Sequence, residues 1–317
     1  MIEYKNGVFG IHGQGFSYLL RVNAYGLLEQ LHFGAPVRTE DADAFVCRPG
    51  LGWGASILLK AEDTESCPDA MPLAWSGSGR GDYRESPLEL GGVPTDFRYE
   101  SYEIIDGIVK MDSTLPQANG EAETLKITMV QSGLVLTLYF SIFGGVLTRR
   151  AVLKNTGDTP VLLTKMMSSM VDLPGNFEMT TFDGGWIAEM RKHTAKVEQN
   201  RVVNESATGF SSHRHNPGFL LSEPGATEES GIVYGFNLVY SGNHYGSAQK
   251  SLQGFTRVMQ GISPNNFVKE LHPGDAFETP EAVTAFSDTG FGGLSEKMHR
   301  FVNTCIVPKQ WQLQSPP

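Results

Sequence analysis

Apolar and polar residues alternate along much of the chain, in short segments that end at Gly, Pro, Asn or Asp. In residues 16–22 (FSYLLRV), Tyr18 and Leu20 fall on one side of an extended strand, and Leu19 and Arg21 fall on the other. This period of two predicts a half-buried strand. Comparable segments are 133–143, 149–157, 160–175 and 231–242. Together with 36 glycines and 17 prolines, they predict an all-β fold of packed sheets.

The segment 155–160 (NTGDTP) separates two of these strands and predicts a turn. Asn and Asp side chains accept hydrogen bonds from nearby backbone amides, and Pro cannot donate to the next strand pair. Glycine supplies the positive φ that such turns use, so we expect Gly157 to adopt it.

One segment near the C-terminus has the period of an amphipathic helix. Its apolar residues recur at helical spacing, at Met298, Phe301, Val302, Cys305 and Ile306. Ser295 is placed to cap the first turn, and the Pro-rich stretch that follows the stripe is typical of a linker. These patterns predict a β domain at residues 1–290, followed by a helix and linker at 291–317.

Composition narrows the class of partner. The chain has 317 residues and a net charge of -10, which disfavours nucleic acid. It has no run of 18 apolar residues and no signal-peptide pattern at its N-terminus. Its three cysteines lack a CxxC spacing, so neither a disulfide framework nor a zinc ribbon is indicated. We therefore expect a soluble, cytoplasmic protein that contacts a neutral ligand or another protein, with no membrane, metal or cofactor.

Nine motifs occur in order along the chain. They are GSGRGDYRESP (77–87), EAETLKI (121–127), LTRRAVLKN (147–155), SSMVDLPG (168–175), GGWIAEMR (184–191), GFSSHRHNP (209–217), VYGFNLVYSGN (233–243), RVMQGISPNNF (257–267) and LHPGDAFETPEAVTAFSDTGFGGLS (271–295). In this order and at this spacing they resemble the N-terminal domain of family 36 glycoside hydrolases, the bacterial and fungal type of α-galactosidase.

The resemblance implies a β-supersandwich related to galactose-mutarotase-like folds. It also implies a parent enzyme that removes terminal α-linked galactose from sugars such as melibiose and raffinose. That family retains anomeric configuration with two aspartates, a nucleophile and a general acid/base, whose carboxyl groups lie about 5–5.5 Å apart. The aspartates belong to a (β/α)₈ barrel that follows this domain. The sequence shows no βαβα alternation and no Lys-Trp-Asp motif, so we expect the chain alone to be inactive.

The stretch TGFSSHRHNPG (208–218) contains the residue types of a catalytic or metal site. On a strand, His213 and His215 would share a face, as metal ligands must. However, Asn216 and the Pro-Gly pair after it predict a turn, and no third ligand is fixed by the spacing. We favour a structural role, in which these polar groups hold irregular backbone. A contact with a neighbouring barrel is the alternative, and a metal site ranks last.

Trp53 lies between glycines in the stretch LGWGA, which predicts a loop that presents an aromatic ring. The ring could stack on a sugar or anchor the core. The resemblance implies tetrameric relatives in which a loop at about residues 46–60 reaches a neighbour's active site. Arg48 and Trp53 are therefore candidate sugar or interface contacts.

Five further residues are assigned to structure. The resemblance places Asp82 and Arg84 in a buried polar network beneath a Gly-rich turn. It also matches Asn216, Asn243 and Glu281 to the family. Glu281, like Asp172, lies beside Pro in a strand-end context, where a carboxylate more often binds turn amides than performs catalysis.

Three functions remain open at this point. The first is the non-catalytic N-terminal domain of an α-galactosidase, which packs on the barrel, supports homo-oligomerisation and shapes the substrate entrance. The second is a free-standing carbohydrate-binding module that stacks sugars on Trp53, Trp75 and Trp186. The third is a mutarotase-like enzyme, with His213 or His215 as acid and Glu281 as base.

Overall fold

The computed structural model describes residues 1–48, 57–211 and 214–312. These residues contain twenty strands and one α-helix, α1 (Gly290–Phe301). The strands are β1 (Ile2–Lys5), β2 (Val8–Gly13), β3 (Phe16–Val22), β4 (Leu28–Gly34), β5 (Leu88–Leu90), β6 (Arg98–Asp106), β7 (Glu123–Gln131), β8 (Leu134–Phe143), β9 (Val146–Asn155), β10 (Val161–Pro174), β11 (Glu178–Gly185), β12 (Ala188–Lys196), β13 (Val202–Ser206), β14 (His215–Ser222), β15 (Val233–Val239), β16 (His244–Lys250), β17 (Phe255–Ile262), β18 (Lys269–Leu271), β19 (Ala276–Glu278) and β20 (Glu281–Ser287). Short 3₁₀ helices cover Thr39–Phe45, Pro68–Ala70, Ser78–Arg80 and Lys309–Trp311.

In the described part of the chain, the strands form three antiparallel sheets. Sheet 1 has the order β1-β2-β3-β4, and sheet 2 has the order β13-β16-β17-β10-β18, with β5 also paired to β10. Sheet 3 has the order β12-β11-β14-β15-β20-β9-β8-β7-β6, with β19 also paired to β9. This is the all-β supersandwich that the sequence predicts, and the described residues contain no (β/α)₈ barrel.

The largest hydrophobic core draws side chains from all three sheets. Tyr18 of sheet 1, Val171 of sheet 2 and Phe140 of sheet 3 all belong to it. Burial of each such side chain contributes about 1.5–3 kcal/mol. The prediction of a half-buried β3 is wrong, because Phe16 to Leu20 are all buried. The 3₁₀ helix at Thr39–Phe45 covers the outer side of sheet 1, where Leu19 packs in one cluster with Val8 and Ala42.

The turn between β9 and β10 uses glycine differently from the prediction. Asn155 accepts a hydrogen bond from the backbone amide of Gly157 at 3.0 Å, as its side chain predicts. Gly157 does not adopt a positive φ, whereas Gly133, in the adjacent turn between β7 and β8, does. A Cβ atom on Gly133 would lie only 3.0 Å from the Cα atom of Gly157. The two backbones therefore approach too closely for a side chain at Gly133, and the expected left-handed Gly157 is a misassignment.

Helix α1 begins five residues earlier than Ser295, so the predicted cap is wrong. The first amides of the helix donate to backbone carbonyls instead, from Phe291 to Thr227 at 3.0 Å and from Gly292 to Glu228 at 2.9 Å. After Phe301, a π-helical turn widens the period, and Val302 is 41% exposed rather than packed. No helix among the described residues combines the length and hydropathy needed to cross a bilayer.

Candidate functional site

A buried ion network lies beneath the Gly-rich turn at residues 77–81, where Gly81 has a φ of 87°. Arg84 donates from Nε to Oδ1 of Asp82 at 2.9 Å. Arg257 donates from Nε to Oδ1 of Asp172 at 2.8 Å, and its Nη2 lies 3.0 Å from Oδ2 of Asp82. Asp172 also accepts a hydrogen bond from the amide of Leu73 at 3.0 Å. The network thus joins β10 and β17 to the irregular segment before β5.

Neighbouring charges favour the ionised states of Asp82 and Arg257. Burial alone would raise the pKa of Asp82, but the neighbouring Arg257 and Arg84 outweigh it and lower that pKa. Burial likewise opposes the charge of Arg257, and Asp172 and Asp82 outweigh it and raise the pKa of the guanidinium. The Asp82 carboxylate, fixed in this way, is not available to titrate as a general acid. Asp82, Arg84 and Asp172 are thus bound to one another in this buried network, and Arg257, the first residue of the motif at 257–267, is its fourth member.

Arg48 lies near the start of the candidate loop, which was expected at about residues 46–60. Its Nη2 donates to Oε1 of Glu29 at 2.6 Å, and the side chain of Glu29 is buried. Glu29 also accepts hydrogen bonds from Arg21 at 3.2 Å and from Asn23 at 2.9 Å. On the far side of the loop, Tyr25 donates to Asp63 at 2.6 Å. Both ends of this segment are therefore tied to sheet 1 and the turn after β3, whereas Trp53 lies outside the described residues.

A cleft of about 610 Å³ lies beside this anchor. Its walls include Phe45, Cys47 and Tyr234, and polar groups reach it from His32 and Asp288. The ring of His32 packs against Phe45 with centroids 4.8 Å apart. Burial lowers the pKa of His32, which keeps the imidazole neutral near pH 7. Clefts of this volume with apolar walls and a few polar groups are suited to small ligands.

The structure reassigns the segment after His213. Residues 215–222 form β14 rather than a turn, so the Asn216-Pro217-Gly218 sequence lies within a strand. Between the pairs Thr181–Phe219 and Asp183–His215 the register shifts, and such a bulge accommodates a proline that cannot donate to its neighbour. Asn216 accepts the amide of Gly218 at 2.8 Å and supports this bulge.

His215 contacts the carboxylate of Asp183 rather than that of Glu281, which a mutarotase-like site would need. Its Nδ1 lies 2.9 Å from Oδ1 of Asp183. Nε2 of His193 lies 3.9 Å from Oδ2 of the same carboxylate. Among the described residues, no three His, Cys, Asp or Glu side chains are placed to hold a metal ion. His213 lies outside the described residues, so that candidate metal ligand, sugar contact or interface contact stays a prediction.

Glu281 and Asn243 both bind backbone. Glu281 accepts hydrogen bonds from the amide of Ala118 and from Thr148, each at 2.6 Å, and burial raises its pKa. Because His215 pairs with Asp183 instead, the described residues do not form the His215–Glu281 pair that a mutarotase-like reaction would need. Asn243 accepts the amide of Gly209 at 2.6 Å.

The tryptophans do not form a common platform. Trp75 is only 2% exposed, so its proposed role in sugar stacking is wrong: the ring belongs to the main core. Trp186 is 86% exposed and lies in the turn between β11 and β12. A buried and an exposed ring on different elements cannot face one sugar chain.

Two polar centres were missed by the sequence reasoning. Glu85 accepts from Lys165 at 2.8 Å and from Ser247 at 2.7 Å, in a second buried cluster. His244 is buried, and within the described residues neither of its ring nitrogens has a hydrogen-bond partner. Glu85 stands in the first family motif, but its partners are 80 and 162 positions away. No local pattern predicts such contacts.

Comparisons with known proteins agree on one family. The profile of the glycosyl hydrolase family 36 N-terminal domain matches residues 26–272. Alpha-galactosidase 2 of Hypocrea jecorina is 32% identical over all of this chain, which covers 42% of that protein. Alpha-galactosidase AgaA of Geobacillus stearothermophilus is 32% identical over 92% of this chain and 41% of its own length.

Solved structures show the same partial coverage. The galactosidase domain of the alpha-galactosidase-sucrose kinase AgaSK superposes with a TM-score of 0.95 at 26% identity, over 100% of this chain and 46% of that one. A variant of AgaA in complex with raffinose superposes with a TM-score of 0.92 at 29% identity, over 98% of this chain and 45% of that one. This chain thus spans less than half the length of these relatives. It belongs to glycosyl hydrolase family 36, as the N-terminal domain.

Proposed function

We propose that the chain is the non-catalytic N-terminal domain of an α-galactosidase that hydrolyses terminal α-galactosides such as melibiose and raffinose. Residues 1–290 form the supersandwich, and residues 291–317 lead as helix and linker toward a catalytic barrel. The domain packs on that barrel, supports oligomerisation and shapes the substrate entrance. One observation carries the proposal: nearly all of this chain superposes on α-galactosidases, yet it accounts for only 45–46% of their length.

The chemistry of the described carboxylates supports the non-catalytic assignment. A retaining hydrolase needs two carboxyl groups about 5–5.5 Å apart that face the sugar. Asp82 and Asp172 instead form ion pairs with Arg257. Glu281 accepts hydrogen bonds from the amide of Ala118 and the hydroxyl of Thr148. The contribution of this domain to the sugar site would come from the loop at about residues 46–60, which includes Arg48.

Hydrolysis of a chromogenic α-galactoside tests the proposal. The purified 317-residue chain is expected to release no chromophore above the buffer rate, whereas full-length AgaA serves as the positive control. In a fusion of this chain to the catalytic portion of AgaA, Arg48→Ala should raise KM for raffinose and leave kcat nearly unchanged. Arg38→Ala is the matched control, because Arg38 is exposed and, among the described residues, forms its ion pair with Asp41. Turnover by the purified chain alone would refute the non-catalytic role.

The cleft beside Cys47 favours carbohydrate binding as a second candidate function. Its aromatic side chains, together with the polar groups of His32 and Asp288, offer apolar contact and hydrogen bonds to a pyranose. Calorimetry with galactose and raffinose distinguishes this from the accessory role. Binding that Asp288→Ala weakens, with Asp158→Ala as an exposed control, would support a carbohydrate-binding module. If calorimetry detects no binding heat at millimolar sugar, the carbohydrate-binding function is ruled out.

A further inference from the structure

A polar pocket of about 480 Å³ opens beside the hairpin turn between β16 and β17. Three nearly buried charged side chains line it, those of Arg84, Glu85 and Arg257. The pocket shares no lining residue with the cleft beside Cys47. Its volume lies within the range of small-ligand sites, so this second cavity of the domain can be assessed by its own chemistry.

The pocket lies where the two buried ion clusters of the domain meet. Arg84 and Arg257 come from the network beneath the Gly-rich turn, and Glu85 comes from the second cluster. Nη1 of Arg257 donates to the backbone carbonyl of Glu85 at 3.1 Å, which joins the two clusters. Charged groups that are fixed in this way lose little conformational freedom when they bind a ligand, and such preorganisation favours affinity.

Several groups in the pocket keep unused hydrogen-bonding capacity. Oε2 of Glu85 accepts from Ser247 at 2.7 Å, and a carboxylate oxygen can accept a second bond. Nη1 of Arg84 makes no hydrogen bond within the described residues. In the same part of the chain, the side-chain amides of Gln199 and Gln253 have no hydrogen-bond partner. The pocket therefore offers both donors and acceptors to a ligand.

Arg201 is held more loosely than the other arginines of the pocket. Its Nη1 lies 3.2 Å from Oε1 of Glu85, and its contacts with Tyr245 and Gln249 are each 3.4 Å long. Hydrogen bonds between charged groups are usually about 2.7–2.9 Å long. The planar guanidinium can therefore exchange these long contacts for two parallel bonds to neighbouring oxygen atoms of a ligand.

Tyr83 adds an aromatic face to the pocket. Its side chain is 65% exposed and makes no ring contact or hydrogen bond within the described residues. One face of a pyranose carries several C–H groups, whose hydrogens are slightly positive. They pack favourably on the negative face of an aromatic ring. An aromatic face beside planar polar side chains thus suits a sugar.

The charges in and directly behind the pocket nearly cancel. Five cations and four carboxylates either line it or pair with a residue that does: Arg84, Lys165, Arg201, Lys250 and Arg257, with Asp69, Asp82, Glu85 and Asp172. Binding sites match the charge of their ligands. This balance therefore favours a neutral ligand over an anion or a cation.

We propose that this pocket binds a neutral saccharide, with Arg201 and Glu85 bonded to hydroxyl groups on adjacent carbons and the sugar ring stacked on Tyr83. The site goes beyond the accessory role, because it is separate from the cleft and from the loop that includes Arg48. The pocket chemistry sets the ligand class, and only the choice of galactosides as probes rests on the proposed function.

Calorimetry of the 317-residue chain with raffinose tests the site. The wild type should bind, and Arg201→Ala should raise Kd by about tenfold, because hydrogen bonds to a charged group are lost. Arg98→Ala is the matched control, since Arg98 is 39% exposed against 38% for Arg201 and forms an ion pair with Asp96 at 3.2 Å. Asp288→Ala alters the cleft and should bind as the wild type does.

Two further arms test the ring contact and the ligand charge. Tyr83→Ala should also weaken binding, whereas Tyr83→Phe keeps the aromatic face and should stay close to the wild type. Galacturonate differs from galactose in having a carboxylate at C6. It should bind no more tightly than galactose does.

Hydrogen exchange of the wild type locates the site without any substitution. Raffinose should slow exchange of backbone amides at 199–201 and 249–253 and leave those at 44–47 unchanged. Circular dichroism establishes that the variants fold, and the exchange result decides the matter for any variant that does not.

Four outcomes would overturn the sugar site. These are no binding of raffinose or galactose by the wild type, an equal loss in Arg98→Ala and Arg201→Ala, tighter binding of galacturonate than of galactose, and protection at 44–47 instead of 249–253. A chain that neither binds sugar nor turns over an α-galactoside would end this inference and leave the accessory role intact. Turnover by the chain would refute the accessory role without touching the sugar site.

Discussion

Ile187 occupies a backbone conformation that suits glycine. It lies in the two-residue turn between the paired Gly185 and Ala188, with a φ of 63°. A β-branched residue is strained there, and the side chain is 84% exposed, so little packing offsets the strain. We expect Ile187→Gly to raise the free energy of unfolding by about 1 kcal/mol, measured by urea denaturation. Ile187→Val keeps the branched Cβ and should change nothing. A less stable glycine variant would contradict the strain argument.

His244 makes the stability of the fold sensitive to acid. It is 2% exposed, and burial, with a smaller contribution from His215, lowers its pKa from 6.5 to about 4. Between these values the unfolded chain binds a proton that the folded chain does not, so stability falls as the pH falls through this window. Between pH 7 and pH 5 the expected loss from this residue is about 2 kcal/mol.

Urea denaturation at the two pH values isolates this effect. In His244→Gln the difference in unfolding free energy between pH 7 and pH 5 should shrink by about 2 kcal/mol. It should not vanish, because burial also lowers the pKa of His12 and His32. His272→Gln is the control, since His272 is exposed. An unchanged pH difference in the His244 variant would mean that this imidazole is protonated in the folded protein.

At the scale of elements, α1 is attached to sheet 3 by one side of its surface. Leu294 packs over β15, where a Cβ atom on Gly235 would lie 3.0 Å from its side chain. A glycine at this point of the strand therefore admits the helix. Leu294→Ala should cost about 2–3 kcal/mol, whereas Val302→Ala should stay within about 0.5 kcal/mol. Thermal and urea denaturation compare the two, and equal effects would mean that the helix is not held by this contact.

At the scale of the whole molecule, the Arg257 network joins segments that are far apart in the chain. Arg257→Met would leave Asp82 and Asp172 buried beside a single arginine, Arg84. Loss of one partner from such a site typically costs about 3–5 kcal/mol. Arg38→Met is the control, because its pair with Asp41 is exposed at 77% and 45% and such pairs contribute little. Urea denaturation measures both, and a loss below about 1 kcal/mol in Arg257→Met would show that the network is dispensable.

The sequence predicted the local features of this molecule well. Residues 16–22 form β3 as the alternation indicates, and Asn155 binds the amide of Gly157 as its position in the turn indicates. The predictions failed where a distant segment intervenes. The 3₁₀ helix at Thr39–Phe45 buries the face of β3 that the main core does not, and carbonyls from residues 227 and 228 replace Ser295 as the cap of α1.

The candidate site was predictable only in part. The family motifs include Asp82, Asn243 and Glu281, and the expected loop at about residues 46–60 includes Arg48, but neither identified the groups that bind these residues. Glu29, Arg257 and Ala118 complete these contacts from remote positions. The cytoplasmic location, the oligomeric state, and the roles of Trp53 and His213 stay predictions.

By itself, the sequence determined the all-β class, the amphipathic helix and the family, because these depend on periodicity, turn chemistry and motif order within short stretches. Only the tertiary structure decided which charges meet, that Trp75 is buried while Trp186 is exposed, and that β12 and β6 are opposite edges of one sheet. Strand order and burial depend on packing between segments up to hundreds of residues apart. Local sequence patterns therefore do not predict that packing.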